Sequence, residues 1–421
     1  MTTQTLKNWD ISNLGDAVDI IDGDRGKNYP KQDEFLDSGY CLFLNTKNVP
    51  SNSFSFGEKM FITKEKDSAL RKGKLTRGDF VLTTRGTVGN FAYFSDKVPF
   101  ENIRINSGMV ILRPKKDGRV FSGFFKFYLG SPLFRDQVKS RSSGSAQPQL
   151  PIRDLSTFEI EIPELGIQKR VADVLSTYDD LIENNTRRIQ ILEQIAQATY
   201  TEWFVNFRFP GHEKIKMVDS GTDFGKIPEG WEIKKIKDFG SVITGKTPSK
   251  SDPSNFGSDI PFIKTPDLHG KIFCIETSES LSVKGANTQK NKTLPPKTLV
   301  VSCIGTLGVV GITSSEAQTN QQINAVILAD QKYLEYLYFV LVNLKQELKN
   351  LGANGATMGN VNKDKFENIK MLFPSQKVIS EYHSTVGLNF DGILNLQMQN
   401  KNLRQTRDLF LPKLITGEIN I

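Results

Sequence analysis

One plan is written twice along this chain. Residues 78–89, Gly-Asp-Phe-Val-Leu-Thr-Thr-Arg-Gly-Thr-Val-Gly, align without a gap on residues 297–308, Lys-Thr-Leu-Val-Val-Ser-Cys-Ile-Gly-Thr-Leu-Gly, 219 positions later. The same spacing pairs residues 43–46 (Phe-Leu-Asn-Thr) with 262–265 (Phe-Ile-Lys-Thr). Trp9 and Gly23 match Trp231 and Gly245 at 222 positions. Residues 144–150 (Gly-Ser-Ala-Gln-Pro-Gln-Leu) match 355–361 (Gly-Ala-Thr-Met-Gly-Asn-Val) at 211, and that spacing holds to Pro163 and Pro374. A collinear series with slowly drifting spacing means two similar halves, each of roughly 200 residues. Whatever one half folds into, the other must fold into as well.

Each half opens with short apolar runs between turn residues. Phe80-Val-Leu-Thr-Thr and Met109-Val-Ile-Leu-Arg read as strands, as do Leu299-Val-Val-Ser-Cys and Ala325-Val-Ile-Leu. Short helices are predicted near 122–129 and 332–350. Phe158-Glu-Ile-Glu-Ile162 alternates like a half-buried strand and Pro163 ends it.

Both halves end in a long helical pattern. Leu175, Tyr178, Ile182, Asn185, Ile189, Leu192, Ala196, Thr199 and Trp203 recur at three- and four-residue steps. So do Ile379, Tyr382, Val386, Asn389, Ile393, Leu396, Asn400, Leu403, Arg407, Phe410 and Leu414. This is heptad spacing sustained over about 30–35 residues, and a single stripe of that length cannot bury itself. Pairing the two helices buries both, in a rod of roughly 60 Å for about 40 residues, with Asn185, Asn389 and Asn400 fixing register. Separate amphipathic helices on separate cores are the alternative. The resulting fold class is α+β: two tandem α/β domains, each followed by a long helix, with the helices paired as an antiparallel coiled-coil spacer. The expected limits are a first domain at 1–163, a helix at 164–207, a polar linker at 208–228, a second domain at 229–374, and a second helix and tail at 375–421.

Composition narrows the chemistry. Three Cys and three His, widely scattered, make a disulfide framework or a zinc site built from them improbable. No run of about 18 apolar residues occurs, so a soluble cytoplasmic protein without membrane contact is expected. The formal charge of +7 permits a polyanion partner. Residues 240–247, Gly-Ser-Val-Ile-Thr-Gly-Lys-Thr, satisfy the P-loop pattern literally. A P-loop must open a helix, and here two Pro and no helical stripe follow. Asp22-Gly-Asp24 lacks the later acidic ligands of a calcium loop. No nucleophile elbow or methyltransferase tetrapeptide is present. No catalytic, cofactor-binding or metal-ligating residue is therefore assigned. A P-loop ATPase and a duplicated protein-binding scaffold remain as alternatives to a binding protein for nucleic acid.

The candidate contacts are polar and basic loop residues. Arg25, Lys27, Asn28 and Tyr29 follow the first strand of copy one; Lys246, Thr247, Ser249 and Lys250 occupy the equivalent loop of copy two. Arg85 and Thr87 sit at a tight turn matched by Thr306. Ser143, Ser145, Gln147 and Gln149 lie in one Gly-rich loop, and Asn354, Thr357 and Asn360 in its counterpart. Asn320, Gln321 and Gln322 form an amide cluster, and Asn45, Lys47, Arg104 and Lys264 complete the set. Asn and Gln read adenine edges, Arg and Lys read guanine, and Ser, Thr and backbone N–H suit phosphates. One frame carrying different loop chemistry suggests two surfaces that read different sequences.

Several segments, in order and given twice, carry a resemblance: Gly230-Trp-Glu-Ile-Lys-Lys-Ile236, Gly245-Lys-Thr-Pro-Ser249, Asp259-Ile-Pro-Phe-Ile-Lys-Thr265, Ile304-Gly-Thr-Leu-Gly308 and Asn320-Gln-Gln322. The two Gly-rich loops before a Pro-ended strand, and Arg407-Asp-Leu-Phe-Leu-Pro-Lys-Leu-Ile-Thr-Gly-Glu418, belong to the same series. Over essentially its full length the chain resembles a specificity subunit of a type I restriction–modification system. The resemblance implies two target-recognition domains that each read half of a bipartite, asymmetric double-stranded DNA site. It also implies two adenine methyltransferase subunits bound to the frame and restriction subunits that join them. S-adenosylmethionine, ATP and Mg then belong to those partners. Copy two departs from copy one by Ile304 in place of Arg85.

Overall fold

The computed structural model describes residues 9–142, 148–353 and 359–421. The chain divides into two compact units. One holds the residues up to Leu181 together with Leu403–Ile421, and the other holds Ile182–Asn402.

In the first unit the strands are β1 (Asp10–Asn13), β2 (Val18–Asp22), β3 (Cys41–Leu44), β4 (Phe61–Ile62), β5 (Phe80–Thr83), β6 (Phe91–Tyr93), β7 (Ile103–Ile105), β8 (Met109–Pro114) and β9 (Glu159–Ile162). β1 and β9 pair antiparallel, Asp10 opposite Ile162, so the module begins and ends at one narrow ribbon. Between them an antiparallel sheet runs β2-β8-β5-β6, and a smaller sheet runs β4-β3-β7 with β3 and β7 parallel. The apolar run of β5 is buried on both faces, which is why it does not alternate. Phe80 and Leu82 face a core with Phe124 and Phe125 of α2 (Ser122–Gly130), and Val81 faces the smaller sheet with Leu42 and Ile105. The helix α1 (Lys64–Ala69) is capped by Thr63, whose hydroxyl accepts from Lys66 N.

The long helix α3 (Leu165–Tyr200) runs for 36 residues. Its least exposed positions include Leu175, Tyr178, Ile182, Asn185, Ile189, Leu192 and Ala196, the stripe read from spacing. A π-helical turn, Thr201–Val205, then shifts the register. It buries Phe204 and leaves Trp203 only partly covered.

The region expected as a plain polar linker contains a hairpin, β10 (Met217–Asp219) with β11 (Lys226–Pro228). The second unit repeats the first plan. Its strands are β12 (Glu232–Lys235), β13 (Gly240–Thr244), β14 (Phe256–Gly257), β15 (Ile260–Ile263), β16 (Phe273–Cys274), β17 (Glu279–Leu281), β18 (Leu299–Ser302), β19 (Val310–Thr313), β20 (Gln318–Thr319), β21 (Ile323–Leu328) and β22 (Lys370–Phe373). β12 pairs with β22, the larger sheet runs β13-β21-β18-β19-β16, and β15 and β20 are parallel as β3 and β7 are. Its helices include α4 (Val283–Asn287), α5 (Leu334–Asn343) and most of the 40-residue α6 (Gln376–Ile415).

Within each unit α3 and α6 pair antiparallel. In the first, the Tyr178 and Phe410 rings lie 6.5 Å apart, and Asp179 accepts from Arg407 at 2.7 Å and Lys126 at 2.8 Å. In the second, Asn185 donates to Gln399 at 3.4 Å, Asn400 donates to Thr186 at 3.3 Å, and Leu192 rests against Gly392. Leu411, Leu414 and Ile415 close the core of the first unit beside Leu175. Burying each is worth about 1.5–3 kcal/mol.

The smaller sheets contain the most informative pair of equivalent sites. Phe43 lies opposite Arg104, and its repeat mate Phe262 lies opposite Gln318. Arg104 is 5% exposed. It donates to the carbonyls of Asp67, Leu70 and Lys72 and pairs with the Asp67 carboxylate at 2.6 Å. Gln318 is fully buried and donates to the carbonyl of Ala286, the residue aligned with Asp67. It accepts from Gln289 at 2.8 Å. One module thus ties its post-helix loop to the sheet with an ion pair, the other with neutral amides.

Arg104→Ala leaves the buried Asp67 carboxylate with Lys74 as its one remaining cation and three carbonyls without their Arg104 donor. The expected loss is about 3–5 kcal/mol, read as a lower urea midpoint for the first unit. The double change D67A/R104Q, which imitates module two, should lose less than half of that. Burial acts to raise the Asp67 pKa, and hydrogen bonds from Lys74 and Arg104 overcome it, leaving a net depression. The stabilisation is present above the unfolded-state pKa and is lost as pH falls through the lower folded value. Hydrogen exchange should therefore show β7 loosening from about pH 4 downward, with no loosening of β20 from this cause.

Candidate nucleic-acid interface

In module one the loops gather around the turn 106–108. Asn106 N bonds Leu44 O, and Asn106 Oδ1 accepts from Gly108 N at 2.9 Å. The Gly108 carbonyl accepts from the amides of Thr84 and Arg85 and from the Thr84 hydroxyl. The neighbouring Ser107 carbonyl accepts from Arg25 at 3.3 Å, and Ser107 also bonds the Tyr29 hydroxyl. Burial raises the Tyr29 pKa against those bonds, so it stays a neutral phenol. Arg85 bridges to Gln149 across the module. One turn therefore brings together Arg25, Tyr29, Arg85 and Gln149, with Arg85 and Gln149 exposed.

Module two builds the same hub from 320–322. Asn320 N bonds Ile263 O, and Asn320 Oδ1 accepts from Gln322 N. The Gln322 carbonyl accepts from Cys303 N, and Thr247 donates to Gln321 at 2.6 Å. Ile304 bridges to Asn360 as Arg85 does to Gln149. Even the turns match: Thr83 Oγ1 accepts from Asn90 N, and Ser302 Oγ from Val309 N. Gly86 and Gly305 both take positive φ, +72° and +76°, which demands glycine. Lys246, Thr306, Gln321 and Asn360 are exposed there, and Thr87 is exposed in module one.

Other candidates sit elsewhere or are already engaged. Arg104 is buried in its ion pair, so its guanidinium supports the loop and faces no ligand surface. Asn320 is 8% exposed and its amide holds the turn. Asn45 caps the turn at Thr46–Asn48 by accepting from Lys47 N, and Lys47 pairs with Glu58. Lys264 pairs with Glu279. Asn28 donates to Ala69 O at 3.0 Å, while Lys27 is exposed. Ser249 bonds Ser251, and Lys250 is exposed on the following loop. Ser143, Ser145, Gln147, Asn354 and Thr357 lie outside the described residues. Sequence reasoning missed the 106–108 turn. Its signal was Asn106-Ser-Gly standing 214 positions before Asn320-Gln-Gln.

The P-loop reading fails on geometry. Residues 240–244 are strand β13, paired along its length with β21. The Gly245 and Lys246 amides, which would have to cradle phosphate, bond Ile323 O and Thr319 O. No helix opens at Lys246. Burial pushes the thiols of Cys41, Cys274 and Cys303 up to about 12, so none supplies a thiolate nucleophile near neutral pH. Among the described residues no group of three His, Cys, Asp or Glu could hold a metal ion, and no helix is long and apolar enough to cross a membrane.

Comparison with known proteins agrees with this architecture. The family model for the type I restriction modification DNA specificity domain matches twice, at residues 6–194 and 228–400. The specificity subunit of the type I restriction enzyme HindI of Haemophilus influenzae is 31% identical over 456 residues, covering 94% of this chain and 98% of that protein. The MjaIX specificity subunit of Methanocaldococcus jannaschii is 28% identical over 425 residues, covering 99% and 94%. The fold is similar to the crystal structure of a type I restriction–modification S subunit from M. genitalium, with a TM-score of 0.60 at 13% identity over 98% of each chain. The chain belongs to the specificity subunits of type I restriction–modification systems, DNA-recognition subunits without catalytic activity of their own.

Proposed function

We propose that residues 1–163 and 229–374 each read one half of a bipartite, asymmetric double-stranded DNA site. Two adenine methyltransferase subunits then assemble on the chain, and restriction subunits with translocase and nuclease activity join them. S-adenosylmethionine, ATP and Mg are carried by those partners, and the complex works in the cytoplasm. The observation that carries this reading is the duplicated hub. The 106–108 and 320–322 turns share most of their backbone bonds, yet they present Arg85 and Gln149 in one module and Ile304 and Asn360 in the other. Arg reads guanine bidentately and an apolar side chain favours a thymine methyl group. Such a pair of surfaces suits two different half-sites.

The test is expression with the neighbouring methyltransferase subunit in a host lacking modification, followed by genome-wide mapping of methyladenine. A single new motif with two specified halves and a fixed gap is the expected result. Methylation without sequence preference, or a stable complex that neither methylates nor binds DNA, would falsify the reading. Arg85→Ala should relax one base in one half, at a cost of about 1–3 kcal/mol in discrimination, and leave the other half unchanged. Exchanging residues 229–374 for the same segment of a relative should replace only the other half.

A further inference from the structure

Beside the hub of module one lies a cationic feature that extends past the hub itself. Loop 23–28 and the loop after α1 meet across a cleft of about 350 Å³ lined by Arg25, Lys27, Arg71 and Lys72. Asp24 joins the two loops, accepting from Gly26 N and from Arg71 N, each at 2.7 Å. The Gly26 bond lowers the Asp24 pKa, with burial opposing it, so the clamp keeps its charge. Arg104 holds the same loop from beneath through the carbonyls of Leu70 and Lys72. Gly73 has φ +82°, and a Cβ there would lie 3.2 Å from Gly23, so the loops touch without side chains between them. Asp24 is committed to amides and Asp22 to Arg25. The exposed Lys27, Arg71 and Lys72 have no carboxylate partner among the described residues.

Module two joins the same loops by other means. Gln289 donates to Lys246 O at 2.7 Å while its amide also bonds Gln318, the counterpart of Arg104. Lys246 and Lys290 are exposed and Lys292 is half-exposed, again with no ion pair among the described residues. Lys290 aligns with Arg71 at the repeat spacing of 219. A carboxylate clamp and an amide clamp therefore converge on one outcome, basic side chains at a junction next to the hub.

We infer that this junction is a DNA phosphate seat, present once in each module. Arg71 and Lys72 act with Arg25 and Lys27 in module one, and Lys290 and Lys292 act with Lys246 in module two. The inference rests on the DNA-reading function proposed above. Phosphate contacts fix the register of a protein on the duplex and carry no base information. Seats beside each hub would set the depth at which Arg85 or Asn360 meets base edges.

The experiment uses the full chain assembled with its methyltransferase subunit. A duplex carrying the methylated motif and a scrambled duplex are titrated by fluorescence anisotropy across a salt series. R71A/K72A and K290A/K292A should each weaken both duplexes by a similar factor. Each should flatten the slope of log K against log salt by about 1–2 and leave the methylated motif unaltered. R71K/K72R, which keeps the charges, should bind like the wild type. Unchanged affinity and slope in a complex that binds its motif overturn the inference, as does an altered motif. A wild-type complex that does not distinguish the two duplexes overturns the DNA-reading proposal and this inference with it.

Discussion

Each reading module depends on one buried polar side chain in the parallel strand of its smaller sheet. In a site this dry an unpaired carbonyl costs about 1–3 kcal/mol, and the loop after α1 or α4 turns several carbonyls inward. Arg104 satisfies three of them and brings Asp67 to balance its charge. Gln318 satisfies the Ala286 carbonyl in module two and needs no counter-ion. Either solution anchors the loop, and the anchored loop positions the hub and the basic junction. The same exchange recurs where the modules meet the long helices. Gly123 packs on Ala172 in one module, while the other has a buried Glu335 bonded to His383 at 2.7 Å. Lys126 with Asp179 in one corresponds to Tyr338 stacked edge-on to Phe390 in the other, ring centres 5.5 Å apart.

This pattern separates what the fold requires from what it leaves free. Most backbone bonds at the hub recur, as Thr84 N to Gly108 O recurs in Cys303 N to Gln322 O, while the outward side chains differ in charge, size and hydrogen-bonding capacity. A net charge of +7 is modest for a DNA-binding chain, so placement matters more than total charge. At the basic junctions Lys27, Arg71, Lys72, Lys246, Lys290 and Lys292 have no ion-pair partner among the described residues.

Much of this was legible in the sequence because repetition supplied an internal control. The helical stripe at Leu175, Ile182, Asn185 and Ala196 fell where spacing put it, since three- and four-residue steps leave one face to bury. Rejection of the P-loop was also legible, from Pro248 and the β-branched Val242 and Ile243. The buried role of Arg104 was not. An Arg between Ile103 and Ile105 looks like the solvent side of a strand, and only the parallel partner β3 and the loop above it close that side. The 106–108 turn was hidden because it works through backbone atoms. The π-helical turn at Thr201–Val205 arises from tertiary packing of Phe204 on Tyr336 and Tyr382, which local periodicity does not encode.

Leu411, Leu414 and Ile415 complete the core of the unit that holds the amino-terminal module. During synthesis those residues appear more than 200 positions after Leu181, the last earlier residue of that unit. At about 5–20 residues per second the delay is on the order of 10–45 s. Throughout that interval the first module lacks the part of its core that Leu411, Leu414 and Ile415 supply. Residues 403–421 are thus a late-made lid on a domain built from residues made far earlier, which ties the closing of that domain to synthesis of the whole intervening unit.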